Sequence, residues 1–423
     1  MLEGWIKYSH EGRGMKKSEL TQTSTGEFVA MSALMMALIA LAIDAMLPAL
    51  PDLGKDLNVS HPNDAQLVVS MVFLGMAIGQ VFFGPLSDSI GRKSAVYIGY
   101  VIFFIGSICS IVTDTFALMI IGRILQGIGL GGARTICIAL IRDQFVGDAM
   151  AKVMSYIMAV FVLAPMIAPA LGQGILLIGN WRWIFTFILG LSVVSLVWFL
   201  LRQPETLSLD KRSRFSIVLI WSAASEAVRN PITIGFTIAL GFILGAFIGY
   251  LSSVQQIMQI QYALGSHFPI VFAVCALSVG LASLLNGKLV LYFGMLKLCK
   301  LGILGVTVTS IIFFGANLLN IDEPPLWSLI LYFMITLFFV GLQFGNLNAL
   351  AMQPLGHIAG VGSSVVGFIS SVLSVPIGIL IGALYDDSVM PVVVGFASLG
   401  LLATVTIFWI VPCLSMSKNH SPS

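Results

Sequence analysis

The sequence predicts an all-α membrane protein with twelve spanning helices in two groups of six, and three observations carry that prediction. Of the 423 residues, 58% are hydrophobic and only 9% charged, with a mean hydropathy of +1.01. A soluble domain carries about 25% charged residues. Apolar stretches near the roughly 17–25 residues that a bilayer crossing requires recur twelve times. One long polar connection, 202–231, leaves six of them on either side.

In chain order, residues 1–27 are polar, so no cleavable signal peptide is expected, and Met15-Lys16-Lys17 has the look of an alternative translation start. The first six spans are expected at 28–50, 65–87, 94–113, 116–140, 150–178 and 181–201. The last six are expected at 232–258, 268–293, 297–317, 326–353, 359–384 and 389–413. This gives an N-terminal segment (1–27), a first bundle (28–201), a linker (202–231), a second bundle (232–413) and a tail (414–423).

Between spans two and three lies G-P-L-S-D-S-I-G-R-K, Gly84 to Lys93, read as a tight charged hairpin turn between two helices. The second half carries an echo of it: Gly287, Leu289 and Gly294 follow Gly84, Leu86 and Gly91 by 203 residues, with Leu291 in place of Asp88. Gly75, Gly79 and Gly84 in span two, and Gly122, Gly127, Gly129, Gly131 and Gly132 in span four, permit close helix contact. In span five Pro165 and Pro169 each remove a helical hydrogen bond and predict a bend, as does Pro376 beside Gly378 in span eleven.

The net charge of +2 conceals an asymmetry. With the N-terminus inside, Lys7, Arg13, Lys16, Lys17, Arg92, Lys93, Arg142, Lys152, Arg202, Lys211, Arg212, Arg214, Arg229, Lys288, Lys297, Lys300 and Lys418 all fall on the cytoplasmic side. Only Lys55 and Arg182 fall outside, where acids such as Asp56, Asp114, Asp322, Glu323 and Asp386 gather. Both termini are therefore expected in the cytoplasm. The five cysteines lie in or at the edges of spans with no CxxC pair, and His267 and His357, at loop edges, have no ligand partner at metal spacing. No metal, disulfide or cofactor is expected. Without a P-loop the energy source is an ion gradient or the solute itself.

Three charges fall inside spans: Asp44, Arg123 and Arg134. Each costs about 2.5–3.5 kcal/mol at mid-membrane and so calls for a partner or water. Asp44 lies seven residues before Pro51 and Arg123 seven after Phe116, so both lie about 10 Å in from the outer ends of spans one and four. They are expected to meet as an acid and a base, either for proton coupling or as a structural ion pair. Arg134, about three turns on from Arg123, either lines a cavity or snorkels to the cytoplasmic interface. Gln343, Asn346 and Asn348 either line the cavity or join helices, and Gln255, Gln256, Gln259 and Gln261 read as an outer-surface cluster. Phe73, Tyr156, Phe161, Phe242, Phe247, Tyr250, Phe338 and Phe344 are candidates for an apolar pocket or for ordinary packing.

Taken together, I-D-A-M-L-P-A-L-P (43–51), the Gly84–Lys93 motif, G-R-I-L-Q-G-I-G (122–129), I-R-D-Q-F (141–145), A-P-M-I-A-P-A-L-G (164–172), W-R-W-I-F (181–185), P-E-T-L (204–207) and P-L-G-H-I-A-G-V-G-S-S (354–364) resemble one family. That family is the bicyclomycin/chloramphenicol-resistance (Bcr/CflA) branch of the major facilitator drug:proton antiporters. The resemblance implies two six-helix bundles around a central substrate site. It implies that Asp44 is a protonation site and that Arg123, Gln126 and Gly127 belong to a proton-coupling motif. It implies that Gly84, Asp88, Gly91, Arg92, Lys93 and Asp143, with Arg142 nearby, form a charged conformational latch, Asp88 facing the N-terminus of span eleven. Pro165, Pro169 and Gly172 would form the antiporter-motif hinge. Ser89, Gln353 and Gln173 depart from the family pattern.

The resulting expectation is a monomeric exporter of small amphipathic molecules in exchange for protons, in a bacterial inner membrane. Its partners would be the substrate, protons and the lipid bilayer, with no nucleic acid. A carrier of one metabolite (siderophore, amino acid or sugar) and a non-transporting receptor or scaffold are the alternatives; an enzyme is not expected.

Overall fold

The computed structural model describes residues 24–318 and 323–418. The basic residues Lys7, Arg13, Lys16 and Lys17, the Met15 start, and Asp322 lie outside them, as do the side chains of Lys211, His357, Cys413 and Lys418. The first half comprises α1 (Thr25–Asp44), a short α2 (Leu50–Asp56), α3 (Leu67–Ile90), α4 (Arg92–Val112), α5 (Phe116–Gln144), α6 (Gly147–Leu176) and α7 (Arg182–Arg202). The second comprises α8 (Ile217–Arg229), α9 (Pro231–Leu251), α10 (Phe268–Phe293), α11 (Met295–Asn317), α12 (Leu326–Met352), α13 (Ala359–Ala383) and α14 (Met390–Lys418). Twelve of these segments are long and apolar enough to cross a membrane. Each overlaps one expected span, because a bilayer requires a run of apolar residues of fixed length and little else.

Three local features differ from expectation. Span one is broken: α1 stops at Asp44 and a 3-10 turn, Leu47–Ala49, precedes α2. Pro48 and Pro51 supply no backbone N–H to continue the ladder. The polar linker contains the amphipathic helix α8. And Gly84–Ile90 is not a turn but the last part of α3, so the hairpin is the single residue Gly91. Its φ of +97° is open to glycine and strained for other residues, so α4 can start on the next residue. Gly294 makes the same one-residue break between α10 and α11, with φ +75° and ψ 154° against 97° and 155° at Gly91. The echo seen in the sequence is thus a repeated piece of backbone geometry.

Glycines set the packing of the first half. A Cβ on Gly75 would lie 2.1 Å from the Ile124 carbonyl, and one on Gly127 would lie 2.2 Å from that of Val72, so α3 and α5 touch backbone to backbone. On its other side α5 lies against α4. Across the halves α3 packs on α13, and α6 on α10.

Candidate functional site

Asp44 ends α1, at the break in span one. It is 4% exposed, and its Oδ1 has no hydrogen-bond partner. Arg123 is fully buried on α5. Its Nε donates to the Val68 carbonyl, Nη2 to the Ala42 carbonyl and Nη1 to Gln126 Oε1, each at 2.7 Å. Gln126 in turn donates to Ser107 Oγ at 3.0 Å, and the Phe185 ring lies 5.5 Å from the guanidinium.

The expected acid–base pair is therefore not formed: among the described residues no ion pair joins Asp44 to Arg123. The two share a depth but not a direction. The glycine contacts fix the rotation of α5 and aim Arg123 at backbone between α1 and α3. Ala42 lies in the last turn of α1, where carbonyls lack helical donors, so the guanidinium completes that helix end.

One neighbour of Asp44 comes from the other half. Tyr250 of α9 is close enough to feel its charge, and the Tyr250 hydroxyl is likewise buried without a hydrogen-bond partner. The Tyr250 ring sits among Phe247, Phe272 and Phe333, with centroids 5.0–6.5 Å away, and Phe344 packs on Phe247. On the other flank is α6: a Cβ on Gly172 would come within 1.9 Å of the Ala45 carbonyl, so the stretch holding Pro165 and Pro169 bears directly on the break.

The remaining candidates divide. Arg134 is partly buried and has the Phe161 ring 5.9 Å from its guanidinium. Phe73 and Phe242 are partly buried, whereas Tyr156 is 54% exposed. Asn346 joins helices, whereas Gln343 donates to the Phe339 carbonyl of its own helix at 3.4 Å and its Oε1 has no partner. Gln343 is wedged beside Gly302 of α11, and Asn346 donates to Asn286 of α10 at 2.7 Å. Both residues are buried in the second half, and Asn346 finds its partner on a neighbouring helix.

The four glutamines at the end of span seven are not a surface cluster. Gln255 and Gln256 are 1% and 3% exposed, where a wide π-helical turn, Gln256–Gln261, extends α9. Gln66 donates to Gln255 at 3.0 Å, Gln256 to Asn63 at 2.7 Å, and Asn63 to the Ala383 and Tyr385 carbonyls at 3.1 and 2.8 Å. Ser70 and Ser252 meet at 2.9 Å. Neutral side chains from both halves thus seal the side away from the linker. Tyr385, whose hydroxyl donates to Gln261, has its phenol pushed up to about 12 by burial and by Asp387 and other nearby acids, so it remains a donor.

On the linker side the Gly84–Lys93 motif is built around Arg92. Its guanidinium bonds Asp88 at 2.5 Å, Ser87 at 2.7 Å and Asp143 at 2.9 Å. Arg142 is exposed, and no ion pair among the described residues joins it to this group. Asp88 is engaged by Arg92, and it is Gly84 that meets α13, with a Cβ there lying 2.8 Å from Ser364 Oγ. Sequence reasoning gave no role to Glu205 of the P-E-T-L motif. Its carboxylate accepts from the backbone N–H groups of Arg92, Lys93, Thr206 and Leu207, all at 3.0 Å, and so caps α4. An acid just beyond a span, near a helix that begins Gly-Arg-Lys, was the available signal. Glu205→Gln is expected to lower stability by about 1–3 kcal/mol, since one oxygen becomes a donor facing donors. Thermal unfolding of the purified variant beside Glu205→Asp measures this; an unchanged midpoint would remove the cap from the account.

The description Major Facilitator Superfamily belongs to the family model that matches residues 32–379. The chain is a major facilitator. This transporter is 27% identical over 352 residues to the uncharacterized MFS-type transporter YdgK of Bacillus subtilis, covering 82% of this chain and 87% of that one. It is 26% identical over 376 residues to a bicyclomycin resistance protein homolog of Haemophilus influenzae, covering 88% and 92%. It is also 26% identical over 408 residues to the multidrug resistance protein MdtL of Salmonella typhi, covering 93% and 97%. The crystal structure of the human organic anion transporter MFSD10 shares the fold of this facilitator, with TM-score 0.68 and 14% identity over 91% of this chain and 100% of that one.

Proposed function

We propose that this multi-pass transporter exports small amphipathic or apolar molecules in exchange for protons, as a monomer in a bacterial inner membrane, with the linker side and both termini in the cytoplasm. One observation carries the coupling: the Asp44 Oδ1 and the Tyr250 hydroxyl, from opposite halves, are buried, unpartnered and within electrostatic reach of each other. An unsatisfied buried polar atom costs about 1–3 kcal/mol. A proton on Asp44, or a polar group of a substrate between the two, removes that cost, so proton and substrate compete for one place. The aromatic group around Tyr250 suits apolar cargo, and the names of the Haemophilus and Salmonella relatives agree with drug efflux. In this reading Arg123 holds Asp44 in place through the Ala42 carbonyl, and the Pro165–Pro169–Gly172 stretch bends as the halves rock. The Arg92 group latches the linker side when the far side is open.

Substrate-driven proton release by purified protein, across a panel of lipophilic antibiotics, tests the proposal with Asp44→Asn in parallel. Release by the parent chain and none by the variant is the expected result. A compound that binds both and releases protons from neither leaves Asp44 a structural residue and defeats the exchange mechanism.

A second reading, a carrier for one acidic metabolite, rests on Arg134, a partly buried cation stacked on Phe161. Uptake of organic acids that Arg134→Gln abolishes would favour it.

A further inference from the structure

The linker helix α8 plays no part in the transport reading, yet its surface is unusual for a helix outside the spans. Ala223 and Ala227 are buried on one side, where α8 lies against α13 and α9. The opposite arc carries Ile217, Val218, Trp221 and Val228, which are 68%, 78%, 76% and 54% exposed. A helix facing water would place polar residues on that arc. At 100° per residue these four fall within a strip about 100° wide that also holds Ser225, with Arg229 and Ser222 along one edge. The exposed Arg214 lies just before the helix. Between α8 and the start of α9 is an open cleft of about 570 Å³, lined in part by Trp221, Ser222, Ser225, Glu226, Arg229 and Asn230.

Position indicates what covers this arc. Only Asn230 separates the last residue of α8 from the first of the spanning helix α9, so α8 lies at the level where that span enters the bilayer. At such a level an outward strip of isoleucine, valine and tryptophan meets the acyl–glycerol boundary, and arginines on its border meet phosphates. We propose that α8 is an interfacial anchor: its Ile217–Val218–Trp221–Val228 arc enters the linker-side leaflet, and Arg214 and Arg229 bind the phosphates of anionic phospholipid. The chain just before α8 is tied to the first half, through Ser213 N–H to the Asp88 carbonyl at 3.0 Å and Arg212 to Glu205 at 3.8 Å. The helix itself packs on α13 of the second half. Leaflet composition is thus mechanically connected to both halves. The inference is independent of the cargo and of proton exchange.

The test places a nitroxide at position 221, and separately at 218, in the full chain with its native cysteines replaced, reconstituted into lipid nanodiscs. The expected result is a severalfold higher ratio of oxygen to nickel-chelate accessibility in discs containing phosphatidylglycerol than in discs of phosphatidylcholine alone. Arg214→Gln with Arg229→Gln removes that difference, while the thermal midpoint stays put. Three outcomes overturn the proposal. Free access of the nickel chelate in both lipids places the arc in water. Shielding from both reagents means that protein, not lipid, covers it. Loss of the lipid effect on adding glycerophosphate to the buffer means that the arginines read a free phosphate rather than a membrane.

Discussion

Oxidising a Ser70→Cys/Ser252→Cys variant should stop transport completely, and reduction should restore it. The two hydroxyls are 2.9 Å apart and buried, one on α3 and one just past α9, on the side away from the linker. Side chains that close can form a disulfide with little backbone movement. The native seal is a handful of neutral hydrogen bonds among Asn63, Gln66, Ser70, Ser252, Gln255 and Gln256. Each is worth about 0.5–1.5 kcal/mol net, a strength that a rocking carrier can break once per cycle. A covalent bond there cannot be broken thermally. Flux into proteoliposomes, with and without reductant, in a chain lacking Cys109, Cys137, Cys275, Cys299 and Cys413, gives the readout. Each single cysteine variant should transport under both conditions. Undiminished flux through fully cross-linked protein would mean that the halves do not part at this point.

The second large effect is on folding. Gly127→Ala places a methyl group 2.2 Å from the Val72 carbonyl, in a contact where both sides are backbone. No rotamer can relieve it, so α3 and α5 must separate, and the 2.7 Å bond from Arg123 to the Val68 carbonyl stretches with them. Overpacking of this kind costs about 1–3 kcal/mol, to which a weakened buried charge adds. Against a total stability of about 5–15 kcal/mol, the expected outcome is a large drop in thermal midpoint and in folded yield. Gly190→Ala is the control, because a Cβ there meets nothing within 4 Å. Equal midpoints for the two variants on a size-exclusion melting assay would refute the backbone-contact account.

Hydropathy located the spans because a helix in lipid advertises its length. It conveyed depth equally well, which is why Asp44 and Arg123 could be placed at one level. It conveyed nothing of rotation about the helix axis, and rotation decided that Arg123 meets the Ala42 carbonyl rather than the carboxylate of Asp44. Gln255 and Gln256 were misread for a related reason. Amides at a helix end look solvated until their partners are known, and Gln66 and Asn63 lie 189 and 193 residues away. Arg92 and Asp143 are 51 residues apart, and a charged motif between spans made their meeting legible. The break in span one was foreshadowed by Pro48 and Pro51, and α8 by the pattern of I-V-L-I-W-S-A-A-S-E-A-V-R, though a polar linker concealed it.

The halves are joined at both ends of α3 by neutral groups. On the far side these are amides, hydroxyls and carbonyls; on the linker side Gly84 meets Ser364, while Asp88, Arg92, Asp143, Glu205 and Arg212 bond one another within the first half and the linker. Dissolved salt weakens interactions between exposed charges and not those between neutral dipoles, so it leaves both contacts nearly untouched. Parting the far-side amides, for its part, displaces no formal charge, so that step draws nothing from the membrane voltage.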